Sequence, residues 1–451
     1  MNRLIAECDV LRTVFSYERL QQRVLDAADV PRFHVRVHDF SAHDYAPTLL
    51  TEIRERLSHQ LYDPERFPLF GFEVSRFRDR SVLHISWDLI ILDVQSRLAV
   101  LRRLDDLYRG TDRRPELPRA SFKDYQDYTG LLKNSAWYEA DRAYWQRKLP
   151  GLPLRCTLPF AQSPDTVDHP RFGEHTRHVA PEVWERFKEQ ARRHGVSTSS
   201  ALLSLFGSVI SYFSGAAEFP LTLTLFNRYP VLDGTESLLG NFTSTVLFHY
   251  ADRGADIEEL TRRTHDVLWE DISHALYSGV EVQRDLSKLH GLDTTKAVSP
   301  IVFTGVVGNE TRDFERGAYL DDSELIEDRH WSAQTSQAWI DLQAIEVAGG
   351  FMSKWLYVEQ LFDEATIDHL NALYCLLIER LADGDWAAGL PRDAYLPDAD
   401  RPSSPPPTQP TPHRTSTPCS ASTRTGTAPR AGRRRPPSST PAPAAPTRTA
   451  S

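Results

Sequence analysis

Residues 69–110 read LFGFEVSRFRDRSVLHISWDLIILDVQSRLAVLRRLDDLYRG. Phe70, Phe72 and Val74 fall on one side of an alternating run, Arg78-Asp79-Arg80-Ser81 has turn composition, and Leu83, Ile85 and Trp87 alternate again. That pattern predicts a β-hairpin. The period then lengthens: Val94, Leu98, Leu101, Leu104 and Tyr108 recur at helical spacing, and Gly110 supplies a stop. A hairpin feeding a long helix predicts an α/β protein. Upstream, MNRLIAECDVLRTVF reads as a helix leading into a strand, with charges inside what would be the apolar region of an export signal.

Downstream, residues 114–171 combine prolines and aromatics with one short helical stretch at 140–148, so they read as a linker between lobes. Pro181 then opens a helix striped by Trp184, Phe187 and Ala191. Gly195 ends it, and Ser197 starts another that carries Leu202, Phe206, Val209 and Phe213. Further strands are expected at 221–226, 242–249, 301–307, 338–347 and 351–357, and long helices at 257–276 and 364–381. Both halves mix strands with long helices, which predicts two lobes of similar size.

The chain has 451 residues, 40% apolar and 25% charged, enough for about three domain-sized units or fewer large ones. A mean hydropathy of −0.43 and no apolar run of bilayer length exclude a membrane-embedded protein, and the expected location is cytoplasmic. Charge divides the chain. From Arg401 onward, 51 residues hold 13 of the 30 prolines and eight arginines, with no Lys, Asp or Glu. The remainder carries 44 bases against 62 acids, a net −18 beside a +8 tail. An acidic body lacks the clustered cations that phosphate contacts need, and the tail is expected to be disordered. Cys8, Cys156, Cys375 and Cys419 lie far apart without CxxC or Cys/His spacing, which argues against a zinc site or a disulfide framework.

Three motifs could carry chemistry. Asp88-Leu-Ile-Ile-Leu-Asp93, followed by Ser96, flanks the strand-to-helix junction, although Asp93 also fits an ordinary N-cap. Pro300-Ile-Val-Phe-Thr304 ends an apolar strand on a hydroxyl. In Gln337-Ala-Trp-Ile-Asp341-Leu-Gln343, alternation puts Trp339, Asp341 and Gln343 opposite Ile340, Leu342 and Ala344. Asp is disfavoured within a strand unless that face is wet or functional, so Asp341 is the strongest single candidate, and burial would raise its pKa toward the range useful to a general acid or base. No HHxxxD, GxxxxGK[ST], helix-opening GxGxxG or GxSxG motif occurs.

Order adds what single motifs lack. Asp88…Asp93…Ser96, Tyr144-Trp145…Leu149-Pro150…Leu158-Pro159, Leu223-Thr-Leu-Phe-Asn227-Arg228, Gly240-Asn241-Phe242-Thr243-Ser244, Pro300-Ile-Val-Phe-Thr304 and Gln337-Ala-Trp-Ile-Asp341 together resemble the heterocyclization domains of nonribosomal peptide synthetases, over roughly residues 2–395. Plain condensation relatives carry HHxxxDG, and here Asp88 and Leu89 stand at the two histidines. The resemblance implies a pseudodimer of two chloramphenicol-acetyltransferase-like lobes around a central tunnel, with an N-terminal lobe at 1–165, a C-terminal lobe at 166–398 and a tail at 399–451. It implies a carrier-bound acyl or peptidyl thioester condensed with carrier-bound Cys, Ser or Thr and cyclodehydrated to a thiazoline or oxazoline, as in siderophore and other secondary metabolite biosynthesis.

By the same resemblance, Thr304 and Asp341 form the cyclodehydration pair with Asp88 as a further catalytic candidate. Asp93 and Ser96 form a structural motif in which Asp93 holds its loop through an arginine, and Asn227, Gln343 and Trp339 contact substrate. No cofactor or metal is bound directly. The phosphopantetheine arms of upstream and downstream peptidyl carrier proteins are tethered substrates, an adenylation domain is the expected neighbour, and neither nucleic acid nor membrane is a partner. Asn241, Gly305 and Leu356 depart from the family pattern. The family's opening strand is expected to be missing, and the tail has the composition of an out-of-frame reading. The rival readings are a degenerate docking or structural module without catalysis, and an amide-forming condensation domain.

Overall fold

The computed structural model describes residues 1–111, 120–154, 156–254, 256–307, 331–347 and 349–387. The tail expected from residue 399 lies outside the described residues. In chain order the first elements are α1 (Asn2–Glu7), β1 (Thr13–Ser16), β2 (Gln21–Val24), β3 (Arg36–Phe40), α2 (Thr51–Ser58), β4 (Phe70–Phe77), β5 (Ser81–Trp87) and α3 (Val94–Arg109). β4 and β5 form the expected hairpin, registered from Phe70 opposite Trp87 to Arg76 opposite Ser81. β3 joins β4 in parallel to complete a three-stranded sheet. Phe70 and Phe72 pack with Leu4 and Ile5 of α1 and Val100 of α3 in one core, and burying each such side chain contributes roughly 1.5–3 kcal/mol. Gly110 ends α3 with a φ of 70°, a left-handed backbone that favours glycine.

The linker holds two helices where one short stretch was expected: α4 (Phe122–Leu132) and α5 (Ala136–Lys148). Ser121 and Asp124 form a capping box for α4, and the Ser135 hydroxyl caps α5. Caps satisfy the orphan N–H groups of the first turn, which lets these aromatic-rich segments be helical without a regular apolar stripe. α5 also docks, with its Trp145 indole donating to the His274 carbonyl at 3.0 Å.

The remaining elements are β6 (Phe172–Val179), α6 (Pro181–Arg193), α7 (Thr198–Ser214), β7 (Glu218–Phe226), β8 (Thr243–Ala251), α8 (Ile257–Ser273), α9 (Gly279–Leu289), β9 (Ile301–Val306), β10 (Ile340–Val347), β11 (Gly350–Val358) and α10 (Glu364–Ala382). The helix expected at 257–276 is α8, and the separately capped α9 follows it under a Ser278–Glu281 capping box. β6 was not expected from sequence, because its HTRH centre shows no apolar face. The six strands lie in the order β6-β11-β10-β9-β7-β8. β9 runs parallel to both β10 and β7, and the other pairs are antiparallel.

Trp184, Phe206, Trp355 and Tyr374 belong to the large core formed by α6, α7, α10 and this sheet. These two sheets and the two-stranded β1–β2 sheet lie in one compact unit, Met1–Arg401, and the expected lobe boundary at 165/166 falls between α5 and β6. Among the described residues no single helix is long and apolar enough to cross a membrane. One bent pair, α6 with α7, passes that test only jointly, and α7 is largely buried in the core.

Candidate active site

Three neighbouring strands and the segment before β10 converge on Asp341. The β9–β10 register sets Thr304 opposite Gln343, and Asp341 shares the Gln343 face two residues earlier. The Thr304 hydroxyl lies 3.2 Å from Asp341 Oδ1 and 2.9 Å from the Thr224 hydroxyl on β7. Thr335, just ahead of β10, donates its hydroxyl to Asp341 Oδ2 at 2.6 Å, while Gln343 Nε2 reaches the same oxygen at 3.5 Å.

Asp341 is only 3% exposed, and burial pushes its carboxyl above the ordinary aspartate range while hydrogen bonds from Thr335, Thr304 and Gln343 oppose the rise. Among the described residues, no cation is one of the groups that shift it. A buried carboxyl held by hydroxyls rather than by an ammonium or guanidinium keeps its proton to higher pH than an ordinary aspartate, which suits it to give or take a proton. The chain Thr224–Thr304–Asp341 can also reverse. Thr304 has one proton to give, so it donates to an ionised Asp341 or, when Asp341 is protonated, receives from it and donates to Thr224.

A second carboxylate, equally buried, is built differently. Asp93 caps α3 by accepting from the Ser96 N–H at 2.7 Å. The arginine that holds it is Arg228, whose Nη2 contacts both Asp93 oxygens at 3.1 Å and the Ser96 hydroxyl at 2.9 Å. The Phe242 N–H reaches Asp93 Oδ2 at 3.3 Å, and the Asp93 N–H donates to the Gly240 carbonyl at 3.0 Å. Ser96 and Gly240 exchange a further pair of hydrogen bonds at 2.8 and 3.0 Å. Arg228 lies over the Phe242 ring, 3.9 Å from its centroid, and donates to the Leu238 carbonyl at 2.7 Å. A Cβ at Gly240 would collide with the Phe122 ring, so the close approach of α4 calls for glycine there. This knot ties the start of α3 to the loops around β7 and β8.

The eight sequence candidates therefore divide. Thr304, Asp341 and Gln343 meet; Asp93 and Ser96 meet elsewhere. Asn227 sits near that second group, its amide donating to the Tyr229 hydroxyl at 3.2 Å and its carbonyl accepting from Tyr125 at 3.1 Å. Asp88 closes the turn after β5, accepting from the Ile90 N–H at 3.0 Å. The alternation expected to put Trp339 beside Asp341 does not reach it, because β10 begins at Ile340; Trp339 packs edge-on against Phe160 with ring centroids 4.8 Å apart. Thr224 and Thr335 are absent from the sequence reading. Alternation in β7 could have marked Thr224 as a face residue, but no local pattern points from Thr335 to Asp341.

The family model described as "Condensation domain" matches residues 1–384. Bacitracin synthase 1 of Bacillus licheniformis is 29% identical over 391 residues, covering 85% of this chain and 7% of that protein. Pyochelin synthetase PchF of Pseudomonas aeruginosa is 30% identical over 394 residues, covering 86% of this chain and 21% of that protein. The chain thus spans under a quarter of either relative. Among solved structures, the EpoB nonribosomal peptide synthetase cyclization-docking bidomain from Sorangium cellulosum superimposes with a TM-score of 0.74 at 26% identity, covering 86% of this chain and 77% of that one. The architecture is accordingly the two-lobed, chloramphenicol-acetyltransferase-like fold of such domains. With the family model matched over most of its length, the chain belongs to the condensation-domain family of nonribosomal peptide synthetases.

Proposed function

We propose that the chain is a heterocyclization domain: it joins a carrier-bound acyl or peptidyl thioester to carrier-bound Cys, Ser or Thr and dehydrates the product to a thiazoline or oxazoline. The observation that carries this reading is the buried Asp341 carboxyl, hydrogen-bonded to Thr304, with no cation among the described residues that shift it. Asp88 at the position of the first histidine of plain condensation relatives, and the likeness to a cyclization bidomain, support it.

The amine of the acceptor attacks the donor thioester, the C–N bond forms, and the thiol of the donor's phosphopantetheine arm leaves. Both partners arrive activated or tethered, so positioning supplies much of the acceleration. The acceptor's side-chain sulfur or oxygen then adds to the new amide carbonyl, giving a tetrahedral adduct with one hydroxyl. Asp341 delivers a proton to that hydroxyl as it departs as water, Thr304 orients it, and the nitrogen's proton is returned as the C=N bond forms. In this reading the lobes at 1–165 and 166–398 flank a tunnel entered by two arms, Gln343 borders the reacting atoms, and the partners are the two carrier proteins and an adenylation domain.

The test is turnover of the full chain with carrier-loaded donor and each of Cys, Ser and Thr, read by mass spectrometry of the released product. A product lighter by one water than the linear amide supports the reading. Linear amide alone assigns plain condensation, and return of both loaded substrates unchanged assigns a non-catalytic module.

A further inference from the structure

We propose that Thr335 is a positioning residue for the dehydration step: by holding Asp341 Oδ2 it fixes the carboxyl plane and leaves Oδ1, facing Thr304, as the oxygen that exchanges the proton. The proposal rests on the heterocyclization reading of the same site. Its first support is the geometry. The two hydroxyls engage opposite oxygens of one carboxyl, Thr335 on Oδ2 at 2.6 Å and Thr304 on Oδ1 at 3.2 Å. Thr304 can redirect its single proton to Thr224, 2.9 Å away. A carboxyl anchored on one oxygen and coupled to a reversible hydroxyl pair on the other has a defined route for its proton. Without the anchor, the side chain is free to turn about its terminal torsion, which has broad, soft wells.

The second support is how the chain places Thr335. The Ala338 N–H closes a turn onto the Thr335 carbonyl at 3.1 Å. Within that turn Gln337 adopts a φ of 63°, a left-handed backbone uncommon for residues other than glycine, asparagine or aspartate. The Gln337 side chain braces it by accepting from the Ala297 N–H at 2.7 Å, and the Trp339 N–H donates to the Pro300 carbonyl at 2.7 Å. Backbone held in a sparsely populated region needs surrounding contacts that over-determine it, and here it brings the Thr335 hydroxyl to Asp341. On the neighbouring strands, Lys354 pairs with Glu174, 2.9 Å apart. Lys354 is registered against Gln343 rather than Asp341, and neither charge is among the groups that shift Asp341.

The experiment compares the full-length wild type with Thr335→Val and Thr335→Ser. Val keeps the volume and removes the donor, so dehydration of the linear amide is expected to slow about 10- to 100-fold, the loss of one hydrogen bond to a charged group. Ser is expected to recover most of the rate. Because the lost bond favours the anion, the limb of the pH–rate profile assigned to Asp341 should move to higher pH in Thr335→Val.

A wild-type rate in Thr335→Val, or no recovery in Thr335→Ser, overturns the proposal. Carbon-13 NMR of aspartate carboxyls, with the Asp341 signal assigned by its loss in Asp341→Asn, reads the same contact without turnover. A higher Asp341 titration midpoint in Thr335→Val supports the anchor, and an unchanged midpoint overturns it. If the wild type makes no ring while the midpoint still moves, the anchor stands and the heterocyclization reading falls.

Discussion

Asp93 and Asp341 are each 3% exposed, yet their surroundings differ in kind. Asp93 faces a guanidinium and the backbone N–H groups of Ser96 and Phe242, which together neutralise its charge and occupy its oxygens. Among the described residues Asp341 faces only neutral donors: two threonines and a glutamine. Burial alone therefore does not separate a structural carboxylate from a chemical one. A charge pair with its oxygens occupied locks geometry, whereas a carboxyl held by hydroxyls has no fixed countercharge among its partners and keeps its proton to higher pH than an ordinary aspartate. The two sites give one chain a joint at the start of α3 and, on the proposed reading, a proton donor on the sheet.

The largest expected effect falls on Asp341. Asp341→Asn should slow dehydration about 10²- to 10⁴-fold, the range for a positioned general acid or base, and mass spectrometry should show the linear amide accumulating. Its unfolding free energy should change by about 1 kcal/mol or less, since the amide keeps the shape, its oxygen can accept from Thr335, and its NH2 can donate to Thr304, whose proton then turns to Thr224. Asp93→Ala should show the reverse emphasis. Removing it strands the buried Arg228 guanidinium, and breaking such a pair costs about 3–5 kcal/mol in denaturant unfolding. If Asp93→Ala were as stable as wild type, or if Asp341→Asn unfolded readily, the division between the two carboxylates would collapse.

A smaller effect sharpens the structural half. Asp93→Asn, Arg228→Gln and the double variant should give a coupling energy of about 0.5–3 kcal/mol, because the two side chains share partners as well as charge. Ser96 contacts both, so purely additive losses would mean that each side chain is held by the loops rather than by the other.

Much of this contrast is legible in the chain, but unevenly. Thr304, an ordinary strand residue by itself, emerges only from the order of the motifs, whereas Asp341 emerges because it interrupts a clear apolar alternation, and strand periodicity is a local property. The β4–β5 hairpin and α3 emerge for the same reason. Arg228 appears within a motif, but nothing in its neighbours says that it reaches back 135 positions to Asp93. Thr224 and Thr335 are hidden for a related cause, since their meaning comes from strand register and from a turn with a left-handed glutamine. The capping boxes Ser121–Asp124 and Ser278–Glu281 were readable signals for α4 and α9. Dense prolines and aromatics masked the first, and the long run of α8 masked the second. β6 pairs with β11 from Phe172 to Val179, so partner hydrogen bonding rather than its own apolar pattern makes it a strand.

The smallest effect is a slope rather than a loss. Burial raises the Asp341 pKa in the folded chain above its unfolded value. Below the ordinary aspartate pKa the carboxyl is protonated in both states and exacts no electrostatic penalty. As pH climbs from there toward the raised value, the unfolded chain releases its proton first, so it binds fewer protons than the folded chain and stability declines with pH. Above the raised value the decline stops. Asp341→Asn has no proton to release, so the stability of this variant relative to wild type should increase across that window and then level off, measured as denaturant midpoints at a series of pH values and constant ionic strength. Asp93→Asn serves as the contrast, since its carboxylate faces a guanidinium and its removal should be costly rather than relieving. An Asp341→Asn difference that is flat with pH would mean that the hydroxyls cancel the effect of burial on Asp341, and the chemical distinction between the two sites would then have to come from access to substrate alone.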